Sequence, residues 1–150
     1  MKKLLFTLAL LVSFSFLSHS QQNILPRQYV LANEYENGQI AYKVNIIDGK
    51  EQGEGIGYYK SGEVQFILNY VDGKEQGENT GYYKSGEVSY KVNYVDGKEQ
   101  GEGIGYYKSG EVSYKVNYVD GKEQGEYIEY YESGEIKEIK NYKNGELIED

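Results

Sequence analysis

Eight tyrosines and eight carboxylates recur in this 150-residue chain at a spacing of 24. They are the residues whose repetition could build a chemical surface. The tyrosines come as adjacent pairs: Tyr58 and Tyr59, Tyr82 and Tyr83, Tyr106 and Tyr107, Tyr130 and Tyr131. The carboxylates come from four Asp-Gly-Lys-Glu-Gln-Gly-Glu turns, as Asp48 and Glu51, Asp72 and Glu75, Asp96 and Glu99, Asp120 and Glu123. Neighbouring residues of a strand point to opposite faces, so each pair would place one phenol on each face. A row of exposed phenols suits sugar stacking, a choline cage or a protein interface. The alternative reading makes the same tyrosines strand formers that pack on lysine stems and neighbouring strands. The carboxylates would gather on one rim, as a docking stripe for a basic partner or as weak Ca²⁺ sites. Their plainer role is solubility and protection of the sheet from aggregation.

Composition removes most other chemistry. Lys2 and Lys3, the apolar run Leu4 to Leu17 and the small residues around His19 form a secretory signal peptide, with cleavage expected before Gln21. The apolar run is too short to span a bilayer comfortably, so no transmembrane span is expected after cleavage. The mature chain would then carry no Cys, His, Met or Trp. That excludes disulfides, thiolate or imidazole metal sites and Ser-His or Cys-His nucleophile pairs. Removing two lysines leaves 14 basic against 24 acidic side chains, net −10. Such a surface repels nucleic acid and anionic lipid. Carboxylates are paired everywhere and distinguished nowhere, and near-identical copies do not build one asymmetric catalytic pocket. The expectation is a non-enzyme with no cofactor, exported to the periplasm, the cell surface or the medium.

The elements that position these residues follow from the repeat. Residues 82–102 and 106–126 are identical, and worn half-copies open the series at Glu34 and close it at Tyr142. Ile, Leu, Val and Phe supply only 26 of the 130 mature residues, so the 18 tyrosines are the main apolar material. In Glu87–Tyr94, Val88, Tyr90, Val92 and Tyr94 alternate with Glu87, Ser89, Lys91 and Asn93, the period of a half-buried strand. A shorter strand, about 102–107, alternates Gly103 and Gly105 with Ile104 and Tyr106, and glycine inside a strand marks a bend or a close approach. Asp96-Gly97 reads as a two-residue hairpin turn, and Lys84-Ser85-Gly86 as a three-residue one. Short turns make antiparallel neighbours. The reading is all-β: tandem hairpins of 24 residues in an elongated, twisted antiparallel meander of about 10 strands, roughly 45–50 Å across. The divisions are 1–20 signal peptide, 21–33 lead-in and 34–150 repeat domain. The charged segment Glu135–Asn141 reads as a polar cap, and open edges leave room for self-association.

The run Tyr94-Val95-Asp96-Gly97-Lys98, then Gly101-Glu102 and Tyr106-Tyr107 with Gly110, resembles the bacterial MORN-repeat variant family. The likeness covers about residues 34–149. It implies consecutive hairpins in an extended sheet. It also implies an antitoxin-type component of a toxin–antitoxin module, or the scaffolding and membrane-associated roles of the wider MORN class. Ile56, Thr80, Ile104 and Ile128 lie where many family repeats carry Trp. The functional expectation is a binding or scaffold surface for another protein. The alternative is a cell-envelope glycan- or choline-type binding module, since Tyr-Tyr and Gly at fixed spacing resemble choline-binding repeats.

Overall fold

The structure, a computed structural model, describes residues 28–148. The signal peptide and the first part of the lead-in lie outside the described residues. Fourteen strands form one open antiparallel sheet, and among the described residues there is no helix. They are β1 (Gln28–Glu34), β2 (Ile40–Ile47), β3 (Lys50–Tyr58), β4 (Val64–Val71), β5 (Lys74–Glu75), β6 (Gly77–Tyr82) and β7 (Val88–Val95). Then follow β8 (Lys98–Glu99), β9 (Gly101–Tyr106), β10 (Val112–Val119), β11 (Lys122–Glu123), β12 (Gly125–Tyr130), β13 (Ile136–Lys143) and β14 (Glu146–Ile148). Neighbours in the sheet are neighbours in sequence, and extensive contacts occur only between adjacent strands. This is a nearest-neighbour repeat architecture. The end of the lead-in is itself a strand, since β1 pairs with β2 from Gln28↔Ile47 to Asn33↔Tyr42.

The expected number of strands was about ten, and the sheet path has eleven; the three others are two-residue fragments. A bulge accounts for the fragments. Tyr94 faces Glu99 while Lys91 faces Ile104, so the strand after the turn carries two residues more than its partner. Gly101 absorbs the excess with φ near 80°, and Gly53, Gly77 and Gly125 do the same in the other copies. Such a conformation is open to glycine and strained for other residues. Bulges increase twist, so every repeat bends at the same place.

A second bulge corrects the face assignment. Val112 faces Tyr106, whereas Tyr114 faces Gly105, so Ser113 is an extra residue. The same shift separates Val64 from Phe66 and Val88 from Tyr90. Val64, Val88 and Val112 therefore lie on the face opposite the tyrosines that follow them. The strict alternation expected from Val88 onward holds only after the bulge.

Both turn types form as expected. Asp96 and Gly97 both have positive φ, as do their counterparts at 48/49, 72/73 and 120/121. The other turn closes by Tyr107 N–H donating to the Glu111 carbonyl at 2.8 Å and Gly110 N–H donating to the Tyr107 carbonyl at 3.0 Å. Turns also stack on turns. Gly97 N–H donates to the Glu75 carbonyl at 2.9 Å, and Asp96 N–H donates to Gln76 Oε1 at 3.0 Å. The buried aliphatics are few: Ala32, Val44, Ile46, Leu68 and Val116. All but Ala32, which faces Lys43 on the other side, lie on the face that carries the tyrosine rings described next.

Candidate functional site

The register lines up one row of side chains across the sheet. Tyr42 faces Gly57, which faces Phe66, which faces Gly81, then Tyr90, Gly105 and Tyr114. Rings alternate with glycines because there is no room for anything else: a methyl at Gly57, Gly81 or Gly105 would overlap the ring of Phe66, Tyr90 or Tyr114. The aromatic side chain covers the backbone of the glycine strand, so a single layer still shelters its own hydrogen bonds. A second column, Tyr70, Tyr94 and Tyr118, runs beside the first and faces Glu75, Glu99 and Glu123. Tyr94 donates its hydroxyl to Glu99 Oε1 at 2.9 Å.

Sequence reasoning had assigned these rings to core alternation and offered the Tyr-Tyr pairs as the surface. The structure gives the pairs other places. Tyr58, Tyr82, Tyr106 and Tyr130 face Val64, Val88, Val112 and Ile136 on the opposite side of the sheet. The second members act as staples between repeats. Tyr59 donates its hydroxyl to the Tyr82 carbonyl at 2.7 Å, Tyr83 to the Tyr106 carbonyl at 2.5 Å and Tyr107 to the Tyr130 carbonyl at 2.6 Å. Tyr35 starts the series on Tyr58 at 2.6 Å. Among the described residues Tyr131 makes no such bond, and it is 50% exposed. Replacing Tyr83 or Tyr107 by Phe should therefore destabilise the protein by about 1 kcal/mol each, the usual net value of one hydrogen bond. Tyr131→Phe should leave the urea midpoint where it was; equal losses at all three positions would remove the staple from the account.

The expected acidic rim divides in two. Asp72, Asp96 and Asp120 stay at the turns, where Lys50, Lys74 and Lys98 approach them to 3.5, 3.3 and 3.6 Å. These pairs are well exposed, so each adds little stability. Asp48 occupies the same place in the first turn. Glu51, Glu75, Glu99 and Glu123 instead face Ile46, Tyr70, Tyr94 and Tyr118 on the tyrosine face. The reason is local: the aspartate is a turn corner, and the glutamate is already in the strand and turned toward the rings. Burial, then the charges of Glu99 and Glu51, raise the Glu75 carboxyl above its ordinary range. Among the described residues no group of three or more Asp and Glu is placed to hold a metal ion.

The opposite face carries Tyr58, Tyr82, Tyr106 and Tyr130 beside a mixed row of isoleucine and lysine, with Lys91 and Lys115 paired to Glu78 at 3.0 Å and Glu102 at 3.8 Å. The charged groups on the tyrosine face of the same repeats are the carboxylates Glu75, Glu99 and Glu123. Burial pushes Tyr118 up to about 12, with the charge of Glu123 adding to it. Burial also raises Tyr42, Tyr70, Tyr90, Tyr94, Tyr114 and Tyr127. A phenol whose folded pKa is raised stays neutral in the sheet while the unfolded chain ionises. Its contribution is complete below about pH 10 and is lost as pH rises toward the folded value. Absorbance at 295 nm should show the two columns ionising in one steep step that coincides with loss of the β signal.

An open single-layer sheet of hairpins, each held by its neighbours, defines a β-repeat protein. Residues 51–72, 75–96, 99–120 and 123–144 each match the MORN repeat variant, and the chain belongs to that family. No curated protein matches it. Among solved structures it is similar to "Crystal structure of accessory secretory protein 1,2 and 3 in Streptococcus pneumoniae", at 16% identity and a TM-score of 0.40, over 59% of this chain and 17% of that one. It is also similar to "Crystal structure of GtfA/B complex bound to UDP and GlcNAc", at 12% identity and a TM-score of 0.30, over 94% of this chain and 27% of that one. The chain thus spans well under a third of either.

Proposed function

We propose that this is an exported, non-catalytic MORN repeat variant protein whose tyrosine face is a binding or scaffold surface for another protein. The observation that carries the reading is the lopsided sheet. Half-buried rings and carboxylates cover one face, and no second layer of the described chain packs over them. Interfaces are enriched in tyrosine, which offers a large rigid area with a polar tip. An antitoxin or immunity-like role is one version of this reading and rests on the family's labelling. Near-identical repeats speak against catalysis, because they offer no singular set of reacting groups. Export rests on the leader sequence alone. An N-terminal sequence beginning at Gln21 in material recovered from outside the cytoplasm would test it.

The binding test uses the full chain on a solid support, challenged with cell-envelope extract. Capture of a defined basic protein, weakened by salt and by Tyr90→Ala with Tyr114→Ala, supports the reading. Retention on a glycan or choline matrix would support the second reading, an envelope glycan- or choline-type module, which the ring-lined face also favours. Capture that ignores the tyrosine substitutions would sink the assignment to this face.

A further inference from the structure

Near-identical repeats might be expected to give near-identical surfaces, yet the floor of the tyrosine face is glycine in two copies and a larger residue in the other two. The floor position is Gly55, Asn79, Gly103 and Tyr127 in turn. At the fourth, Tyr127 fills the space itself and stacks on Tyr114, with centroids 5.6 Å apart and planes 13° from parallel. At the second, Asn79 is buried and accepts from the Tyr90 hydroxyl at 3.4 Å. At the first, the Tyr42 hydroxyl stands 2.6 Å from where a Gly55 Cβ would be, so the phenol closes it. Tyr42 leans forward because the residue behind it in the row is Asn33, not glycine. Tyr90 leans back over Gly81 and is tied to Asn79, so no hydroxyl caps Gly103 as Tyr42 caps Gly55; only the Tyr118 ring edge and Val116 approach it, at 2.9 and 3.2 Å from where a Cβ would be.

What remains there is a cavity of about 250 Å³ lined by Tyr90, Tyr94, Tyr114 and Tyr118, with Glu99 at one end and Gly103 as its floor. Lys91, which also borders it, has its ammonium held by Glu78 at 3.0 Å. The two pairs of rings come from strands two apart in the sheet, roughly 9.6 Å. A planar cation is attracted by ring quadrupoles where it lies over a ring face within roughly 6 Å. The carboxylate sets the sign of the occupant. The rings set its softness: a planar, weakly hydrated cation gains more from them than a compact ammonium does. Tyrosine and arginine are also the side chains that anchor protein interfaces.

We infer that the cavity above Gly103 is a seat for one arginine side chain of the protein partner, with the guanidinium among the four tyrosines and against Glu99. This rests on the protein-binding reading above and gives that surface a single anchor point, one per chain despite the repeats.

The test titrates the full chain with a capped Gly-Arg-Gly peptide while tyrosine ring resonances are followed by NMR. The same peptide with citrulline, which keeps the shape and loses the charge, serves as the comparison. Saturable binding is expected, at least tenfold tighter for arginine than for citrulline. Gly103→Asn, which copies the residue that closes the second repeat, should weaken the arginine peptide at least tenfold with an unchanged circular dichroism spectrum. Gly55→Asn, at a place already closed, should leave affinity unaltered. Glu99→Gln should weaken binding several-fold and provides a readout that does not depend on tolerance at Gly103. Equal affinity for citrulline, no saturable binding, or no loss in both Gly103→Asn and Glu99→Gln would overturn the inference. So would tighter binding of tetramethylammonium than of the arginine peptide. Capture of the envelope partner undiminished by Gly103→Asn would sink the arginine seat and leave the protein-binding surface standing.

Discussion

Gly105→Ala should destabilise the protein by about 3 kcal/mol, the upper range for overpacking a filled site. An alanine methyl there would occupy the space of the Tyr114 ring. The ring cannot swing aside freely, since it stacks on Tyr127 on its far side. Gly81→Ala beneath Tyr90 should behave alike. The diagnostic is the coupling. Tyr114→Ala removes the ring that a methyl at 105 would strike, so the double variant should be less damaged than the two losses added together. The chain has already made a related exchange. In the last repeat Glu129 replaces the glycine and Glu138 replaces the aromatic residue facing it. Two carboxylates opposite each other would repel, and Lys137 at 2.7 Å from Glu129 and Lys140 at 2.8 Å from Glu138 compensate them. Strictly additive losses in urea denaturation would show that ring and glycine are not a unit.

The second large effect concerns length. Excising residues 82–105, one whole unit, joins Gly81 to Tyr106 and restores the Gly-Tyr junction that each repeat already has. The shortened chain should fold with the same spectrum, and its urea m-value should fall by roughly one fifth with the surface removed. Excising the half-unit 96–107 should instead abolish folding. It would set β7 directly beside β10, two tyrosine strands with no glycine strand between them. Their rings would compete for one space, the Tyr83 staple would lose its acceptor Tyr106, and the Tyr107 staple would lose its donor. A folded half-unit variant would mean that stability does not come from the ring-on-glycine register.

Much of this was legible in the sequence because its signals are local. The spacing of 24, the Asp-Gly corners and the alternation after Ser89 each report on a few adjacent residues. They gave the all-β hairpin architecture directly. The bulges were less visible. That two extra residues stand opposite Val92 and Asn93 depends on how β7 pairs with β8 and β9. The flip of Val88 was hidden for the same reason. The Tyr-Tyr doublets were singled out because they are conspicuous, whereas Tyr90 within an alternating run is not. One clue was available: wherever the short strand has glycine at the second of its two positions, the following long strand has Phe or Tyr, and where it has Glu129 the partner is Glu138. That exchange is a contact written twice. The unequal floors at Gly55, Asn79, Gly103 and Tyr127 were also in plain view, but their meaning required knowing which way each ring leans.

The first and last strands lie at opposite edges of the sheet. A pull applied to the two ends would thus load the strand-to-strand bonds a few at a time, as in peeling tape. Such a molecule should yield at low force, in successive extensions of roughly 80 Å, the contour of 24 residues at about 3.4 Å each. It should also re-form by zipping from whatever part is left. Tethered between two bodies, it would behave as an extensible link whose reach grows in fixed increments.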